Sequence, residues 1–433
     1  MLEENNDIII VDDEENDVER LAKVFYDYGI GCRSFVYDPV DLIEKPLENV
    51  KLAFFDISLQ TAGNNTELFA ILCDALKAYI SIENKAFVLV FWTSKPQVID
   101  EFQDYVNRRE DNDMPKPIAI RTIDKHEFID KHQNLKKTLS SLLDDPIVRC
   151  LFSFESQLKF AANQSLYDVL GLIDFPDQWG KSEQYIENIK NVFAKIATET
   201  LGNKRGNQNP DLAIKEAFGP LFLHYLCDSD DNVWRQFFGT ANLAKIKGFS
   251  DPSIVAKLNT IFHIDTSSSN KENDSRGSVR KMERLNDTFV QLFNNQIGCP
   301  PENWIYSVLL KNTKIEGDIL EMVALEYSAA CDYSNDKKRT HRYMLGAIIP
   351  VEVANQLAKI KLGDAIFEVP FKFFFKGSEC VLFLHFNYSI NEEETSSDKL
   401  LGERLFSLKK EVMNMICDRH SNYISRIGIT SFR

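Results

Sequence analysis

Continuous apolar runs alternate with helical stretches through the first third of the chain. The runs are Ile8-Ile9-Ile10-Val11, Leu52-Ala53-Phe54-Phe55, Phe87-Val88-Leu89-Val90-Phe91-Trp92 and Ile118-Ala119-Ile120-Arg121-Thr122-Ile123, with a weaker one from Cys32 to Val36. Strands without polar alternation are buried on both faces, and helical patterns between them predict the parallel sheet of an α/β fold. Val18, Leu21, Ala22 and Phe25 recur at helical spacing, with Asn16 placed to cap. Further stripes occupy Leu68 to Ala78 and Leu135, Leu139 and Leu142.

The pattern then changes twice. From Glu155 to about His263 it is helical, with stripes in Leu166 to Ile173, Tyr185 to Thr198 and Ala213 to Leu226. The polar stretch Asp265 to Ser275 reads as an exposed linker. Beyond Pro300, strand signals return at Trp304 to Leu310, Ile319 to Glu326, Tyr343 to Ile349, Ile366 to Phe375 and Val381 to Tyr388. Lys376-Gly377-Ser378-Glu379 should turn the last two into a hairpin, and a helix from Glu403 to about Ser421 should cover one side. Its stripe would be Leu405, Leu408, Val412, Met415 and Ile416. The expected organisation is an α/β domain over 1–147, a helical domain over 148–263, a connecting segment over 264–299, and an α+β module over 300–433 built on a small curved β-sheet or barrel.

Composition narrows the function classes. A formal charge of -15 argues against a nucleic-acid-binding output, which needs a basic face. Arg276, Arg280, Lys281 and Arg284 form the nearest basic patch, but Glu272, Asp274, Glu283 and Asp287 interleave with them, so the segment reads as solvated. Apolar residues make up 44% of the chain, yet no run approaches the ~20 residues that span a bilayer. Met1-Leu2-Glu3-Glu4 lacks the form of a secretory signal, and a cytoplasmic location is expected. Eight scattered cysteines support neither a disulfide framework nor a structural zinc site, and most are expected to be buried. His224, within Leu221 to Leu226, reads as a core or boundary histidine.

Candidate chemistry concentrates at the strand ends. Asp12 and Asp13 close the first run and Asp56 closes the second. In an α/β sheet the carboxyl ends of neighbouring strands share one crevice, so these carboxylates would repel unless a cation joins them. Oxygen-only ligands favour Mg²⁺. Thr93 and Lys125 also come directly after strands, and a hydroxyl and an ammonium beside the carboxylates suit capture of a phosphoryl group on Asp56.

Four ordered motifs carry a resemblance. Val11-Asp12-Asp13-Glu14 resembles the acidic metal-binding turn of the receiver domain of bacterial two-component response regulators, and Phe55-Asp56-Ile57-Ser58-Leu59 its phosphoacceptor strand end. Trp92-Thr93-Ser94 resembles the switch hydroxyl and Lys125 the essential lysine. The resemblance covers roughly the first third. It implies a flavodoxin-like doubly wound five-stranded parallel sheet, Mg²⁺ on Asp12, Asp13 and Asp56, and phosphoryl transfer to Asp56 from a histidine kinase or phosphotransfer protein in a phosphorelay. It also implies an unknown downstream protein partner and pairing as a homodimer through the faces beside the fourth and fifth helices. Gln60 and His126 depart from the family's usual prolines, no aromatic residue precedes Lys125, and Arg121 is a rival for the lysine role. Thr61 to Asn65 and Arg108 to Asp113 read as insertions.

Leu325 to Tyr333, Arg342 to Pro350 and Ser421 to Gly428 resemble segments of uncharacterised bacterial proteins, a likeness that implies a shared C-terminal domain without known chemistry. Receivers fused to such outputs resemble parts of bacterial stress and phage-defence systems. The competing class is a receiver-like scaffold that is never phosphorylated and binds protein partners. A third, a thiol enzyme, would require Cys331, Asp332 and either His341 or His420 within hydrogen-bond reach.

Overall fold

The computed structural model describes the chain apart from residues 1–6, 110–112, 129–131, 176–179, 181, 229–232, 246–248, 250, 267–274, 283–286, 312–320, 329–339, 358–362, 394–400 and 426–433. It divides into two compact units, Met1–Asp174 with Phe218–Ala244, and Phe175–Ala217 with Lys245–Arg433.

The first unit is built on strands β1 (Ile8–Asp12), β2 (Arg33–Val36), β3 (Leu52–Phe55), β4 (Val88–Thr93) and β5 (Ala119–Asp124). They form one parallel sheet in the order β2-β1-β3-β4-β5, the doubly wound order in which the switch point falls between β1 and β3. Successive side chains leave opposite faces of each strand, which is why the apolar runs lack alternation. Ile9, Val11, Ala53, Phe55, Leu89 and Phe91 pack beneath α2 (Asn65–Tyr79) and α3 (Ile99–Asn107). Ile8, Ile10, Leu52, Phe54, Val90 and Trp92 pack against α1 (Glu15–Asp27) and α4 (His132–Leu143). The long helix α5 (Pro146–Leu170) extends that second layer through Val148.

Three local expectations resolve differently. Asn16 lies inside α1, whose N-cap is Glu14 without a side-chain cap bond. The reading of Thr61 to Asn65 as a loop holds up to its last residue, where Asn64 Oδ1 accepts from the Glu67 amide and Glu67 Oε2 accepts from the Gly63 amide, reciprocal bonds that start α2. Between β2 and β3 there is no helix at all; Phe35, Tyr37, Ile43 and Leu47 settle directly on Tyr79 and the sheet.

The second unit carries helices Glu183–Leu201 and Ser253–His263 and a curved antiparallel half-barrel. Its strands are β6 (Ile264–Asp265), β7 (Ser278–Met282), β8 (Glu321–Glu326), β9 (Thr340–Pro350), β10 (Ile366–Glu368), β11 (Phe373–Phe375), β12 (Ser378–Glu393) and β13 (Leu401–Leu408), in the order β10-β12-β9-β8-β7-β13-β6 with β11 on β12. The hairpin between β11 and β12 turns at Lys376 (φ 47°) and Gly377 (φ 82°), the left-handed pair that matches strand twist.

Several expectations for this unit are corrected. Ile366 to Phe375 is two strands, broken where Pro370 has no amide hydrogen to give the ladder. Trp304–Leu309 is helical: Pro301 opens the turn and Trp304, Ile305 and Leu309 are buried on one side. The terminal helix begins at Lys410, and Leu405 and Leu408 belong to β13. The basic patch is not a solvated linker at Arg280, which is buried within β7 and donates to the carbonyls of Leu401 and Gly402. Of the described cysteines only Cys73 and Cys380 are buried. His224 is exposed. Among the described residues no helix is long and apolar enough to cross a membrane. Cys331 and Asp332 lie outside the described residues. His420 stands against Tyr327 and Phe386, while His341 lies beside Glu326.

Candidate functional site: an acidic cluster around Lys125

The carboxyl ends of β1, β3, β4 and β5 bring Asp12, Asp56, Thr93 and Lys125 to one edge of the sheet. Main-chain bonds fix this edge. The Asp56 amide donates to the Val11 carbonyl (3.0 Å), and the Tyr37 amide donates to that of Asp12 (2.8 Å). Thr93 pairs across the ladder with Asp124, directly before Lys125. The turn Lys125–Phe128 then bends back because Phe128 is buried with its ring 6.3 Å from that of Trp92. His126 serves this turn with an amide that donates to Asp124 Oδ1 (2.9 Å), a bond that proline could not make.

The Lys125 ammonium is the hub. Its Nζ lies 2.6 Å from Asp12 Oδ2, 2.9 Å from Asp56 Oδ2 and 3.0 Å from Asp17 Oδ2. Arg121, the rival, instead donates to Asp145 Oδ2 at 2.8 and 3.2 Å. Asp12, Asp56, Thr93 and Lys125 are all buried, whereas Asp13 is exposed. Thr93 Oγ1 accepts from the Lys95 amide at 3.2 Å.

Sequence reasoning missed Asp17. It sits in the first turn of α1, where an acid is usually explained by the helix dipole. The available signal was its position five residues after Asp12, in the first turn of the helix that follows β1.

Negative charge dominates. Burial pushes the Asp12 carboxyl up to about 7; Lys125 opposes the rise and Asp56 adds to it. Asp13 is raised as well, by burial and then by Asp56. Burial pulls Lys125 down, but Asp56 and Asp12 outweigh it and hold the ammonium charged above its ordinary range. Carboxylate oxygens of Asp12, Asp13 and Asp56 lie within 4.8 Å of one another, and Asp56 Oδ1 is buried without a hydrogen-bond partner among the described residues. An all-oxygen donor set with an orphaned carboxylate oxygen and excess negative charge fits a divalent cation.

The first unit therefore has the receiver fold, with the sheet order and the aspartate and lysine cluster of that fold on one edge. Comparison of the chain with models of protein families, with curated proteins and with solved structures finds no match.

Proposed function

We propose that this is a phosphorylation-controlled signalling protein in which Asp56 accepts a phosphoryl group from a histidine kinase or phosphotransfer protein. The observation that carries the reading is the pairing of Lys125 Nζ with Asp56 Oδ2 at 2.9 Å while the other Asp56 oxygen is buried and unpartnered. Asp12, Asp13 and Asp56 would hold Mg²⁺, which when bound neutralises charge between carboxylate and phosphoryl oxygens. An Asp56 oxygen attacks phosphorus in line; the phosphorus–nitrogen bond of the phosphohistidine breaks and its electron pair leaves with the imidazole. Lys125 meets the added charge, and the Thr93 hydroxyl donates to a phosphoryl oxygen. The modified receiver, over 1–147, then alters the contacts of an output formed by the helical segment 148–263 and the β-rich module 300–433. The net charge of -15 argues against DNA as the target of that output and accords with a protein partner in a bacterial phosphorelay, one of stress response or phage defence included.

A second reading is favoured by Asp17, which gives Lys125 a third carboxylate partner in the unmodified arrangement: an unphosphorylated scaffold that binds proteins. The two separate on incubation with Mg²⁺ and a small acyl phosphate. Intact mass should increase by one phosphoryl group, and not in Asp56→Ala. A folded, Mg²⁺-binding protein that gains no mass would refute the phosphoacceptor and leave the scaffold.

A further inference from the structure

The half-barrel contains a buried acid and a buried histidine that nothing in the receiver chemistry uses. Glu326 ends β8 and is wholly buried; His341, near the start of β9, is 5% exposed. Among the described residues, both Glu326 carboxylate oxygens and His341 Nδ1 lack a hydrogen-bond partner. Glu326 is opposite Tyr343 in the ladder, and His341 is two residues away along the same strand, so both project from one face. A cation on that side is engaged elsewhere: Arg280 donates to the carbonyls of Leu401 and Gly402 and reaches the Tyr343 hydroxyl at 3.5 Å.

The separation of the two groups is informative. His341 Nδ1 and Glu326 Oε1 are 3.6 Å apart, too far for a hydrogen bond. Two donors each ~2.1 Å from one ion at a tetrahedral angle are about 3.4 Å apart. A buried carboxylate without a hydrogen bond, faced at 3.6 Å by an imidazole that is a counter-ion only when protonated, is disfavoured, and a shared cation satisfies both oxygens and the imidazole lone pair together. Imidazole selects against Mg²⁺ and Ca²⁺ and for the later first-row divalent ions.

We infer that Glu326 and His341 are two ligands of a divalent transition-metal site, of the zinc class, within the half-barrel. This site is separate in chemistry from the all-oxygen cluster of the receiver, and two protein ligands leave its other coordination positions to further donors. Its role is to hold the β8–β9 end of the sheet together around a metal.

The test uses the full chain, stripped with a chelator and titrated with Zn²⁺ alone. Wild type and Asp13→Asn/Asp56→Asn, which disables the receiver cluster, should each retain zinc after dialysis. Glu326→Gln and His341→Gln, folded by circular dichroism, should bind it at least about tenfold more weakly, since even supporting contacts to a metal site are worth that much. Equal affinity in the variants and the wild type, or no zinc retained by folded wild type, overturns the inference. Zinc X-ray absorption on wild type needs no variant: the inference requires a shell with imidazole nitrogen and oxygen, and a shell lacking imidazole rejects it.

Discussion

Replacing Asp12 by Asn should stabilise the metal-free receiver at neutral pH while destroying its site. The Asp12 carboxyl is wholly buried and its pKa rises from 3.8 to about 7, chiefly through burial. At about 1.4 kcal/mol per tenfold change in proton affinity, that rise corresponds to about 4 kcal/mol. An acid whose folded pKa is raised holds its proton better in the folded state. Its contribution to stability is therefore complete below pH 3.8 and is lost as pH climbs to about 7, beyond which the penalty is constant. Asn carries no such proton, so the variant should gain on wild type as pH rises from 5 to 8, by about 3 kcal/mol of that total, the rest having been lost by wild type between pH 3.8 and 5. Mg²⁺ in hundredfold excess over its Kd should return about 2.7 kcal/mol to wild type and little to the variant. Because a chain of two units need not unfold in one step, the assay is hydrogen exchange of peptides from β1 and β3, with chelator and with Mg²⁺, at both pH values. Equal protection of wild type and Asp12→Asn at pH 8 without metal would refute the argument that burial of this charge is opposed by Lys125 only in part.

Lys125→Met leaves Asp12, Asp17 and Asp56 facing one another around an apolar stem and should destabilise the receiver by about 3–5 kcal/mol, read as lost exchange protection in β3. Asp17→Asn removes only the most exposed partner of that lysine and should cost about 1 kcal/mol or less, with phosphoryl uptake retained in the mass assay. Gly346→Ala should disrupt the half-barrel, because a Cβ there would collide with the Phe383 carbonyl oxygen; thermal unfolding should lose about 1–3 kcal/mol, and a neutral result would show that β9 and β12 can part freely.

The receiver was legible because its three central strands, β1, β3 and β4, are buried on both faces, so their apolar runs end abruptly at the polar residues that form the site. Asp12, Asp56 and Thr93 could each be located as the first polar position at the carboxyl end of a run, and Lys125 as the residue one beyond it, and the structure brings all of them to one edge. Asp17 was invisible to that criterion because it belongs to a helix. In the second unit the period itself was ambiguous. Leu401, Leu405, Leu408 and Val412 satisfy helical spacing, yet Phe406 and Leu408 also alternate as a strand, and pairing with β7 decides the matter. Ser278–Met282 could not be recognised locally, since Arg280 is made acceptable in a core only by carbonyls more than a hundred residues away.

The place of β13 between β6 and β7 sets an order of events during synthesis. β8, β9 and the β10–β12 segment emerge in turn and can pair as they leave the ribosome, but β7 keeps one bare edge until a strand about 120 residues downstream arrives, the separation between Arg280 and Gly402 being 122. A nascent chain paused before Leu401 would expose two open borders, and β6, whose ladder partner is β13, would have nothing to join. Chaperone dependence and premature capture by neighbouring chains should therefore concentrate in that interval.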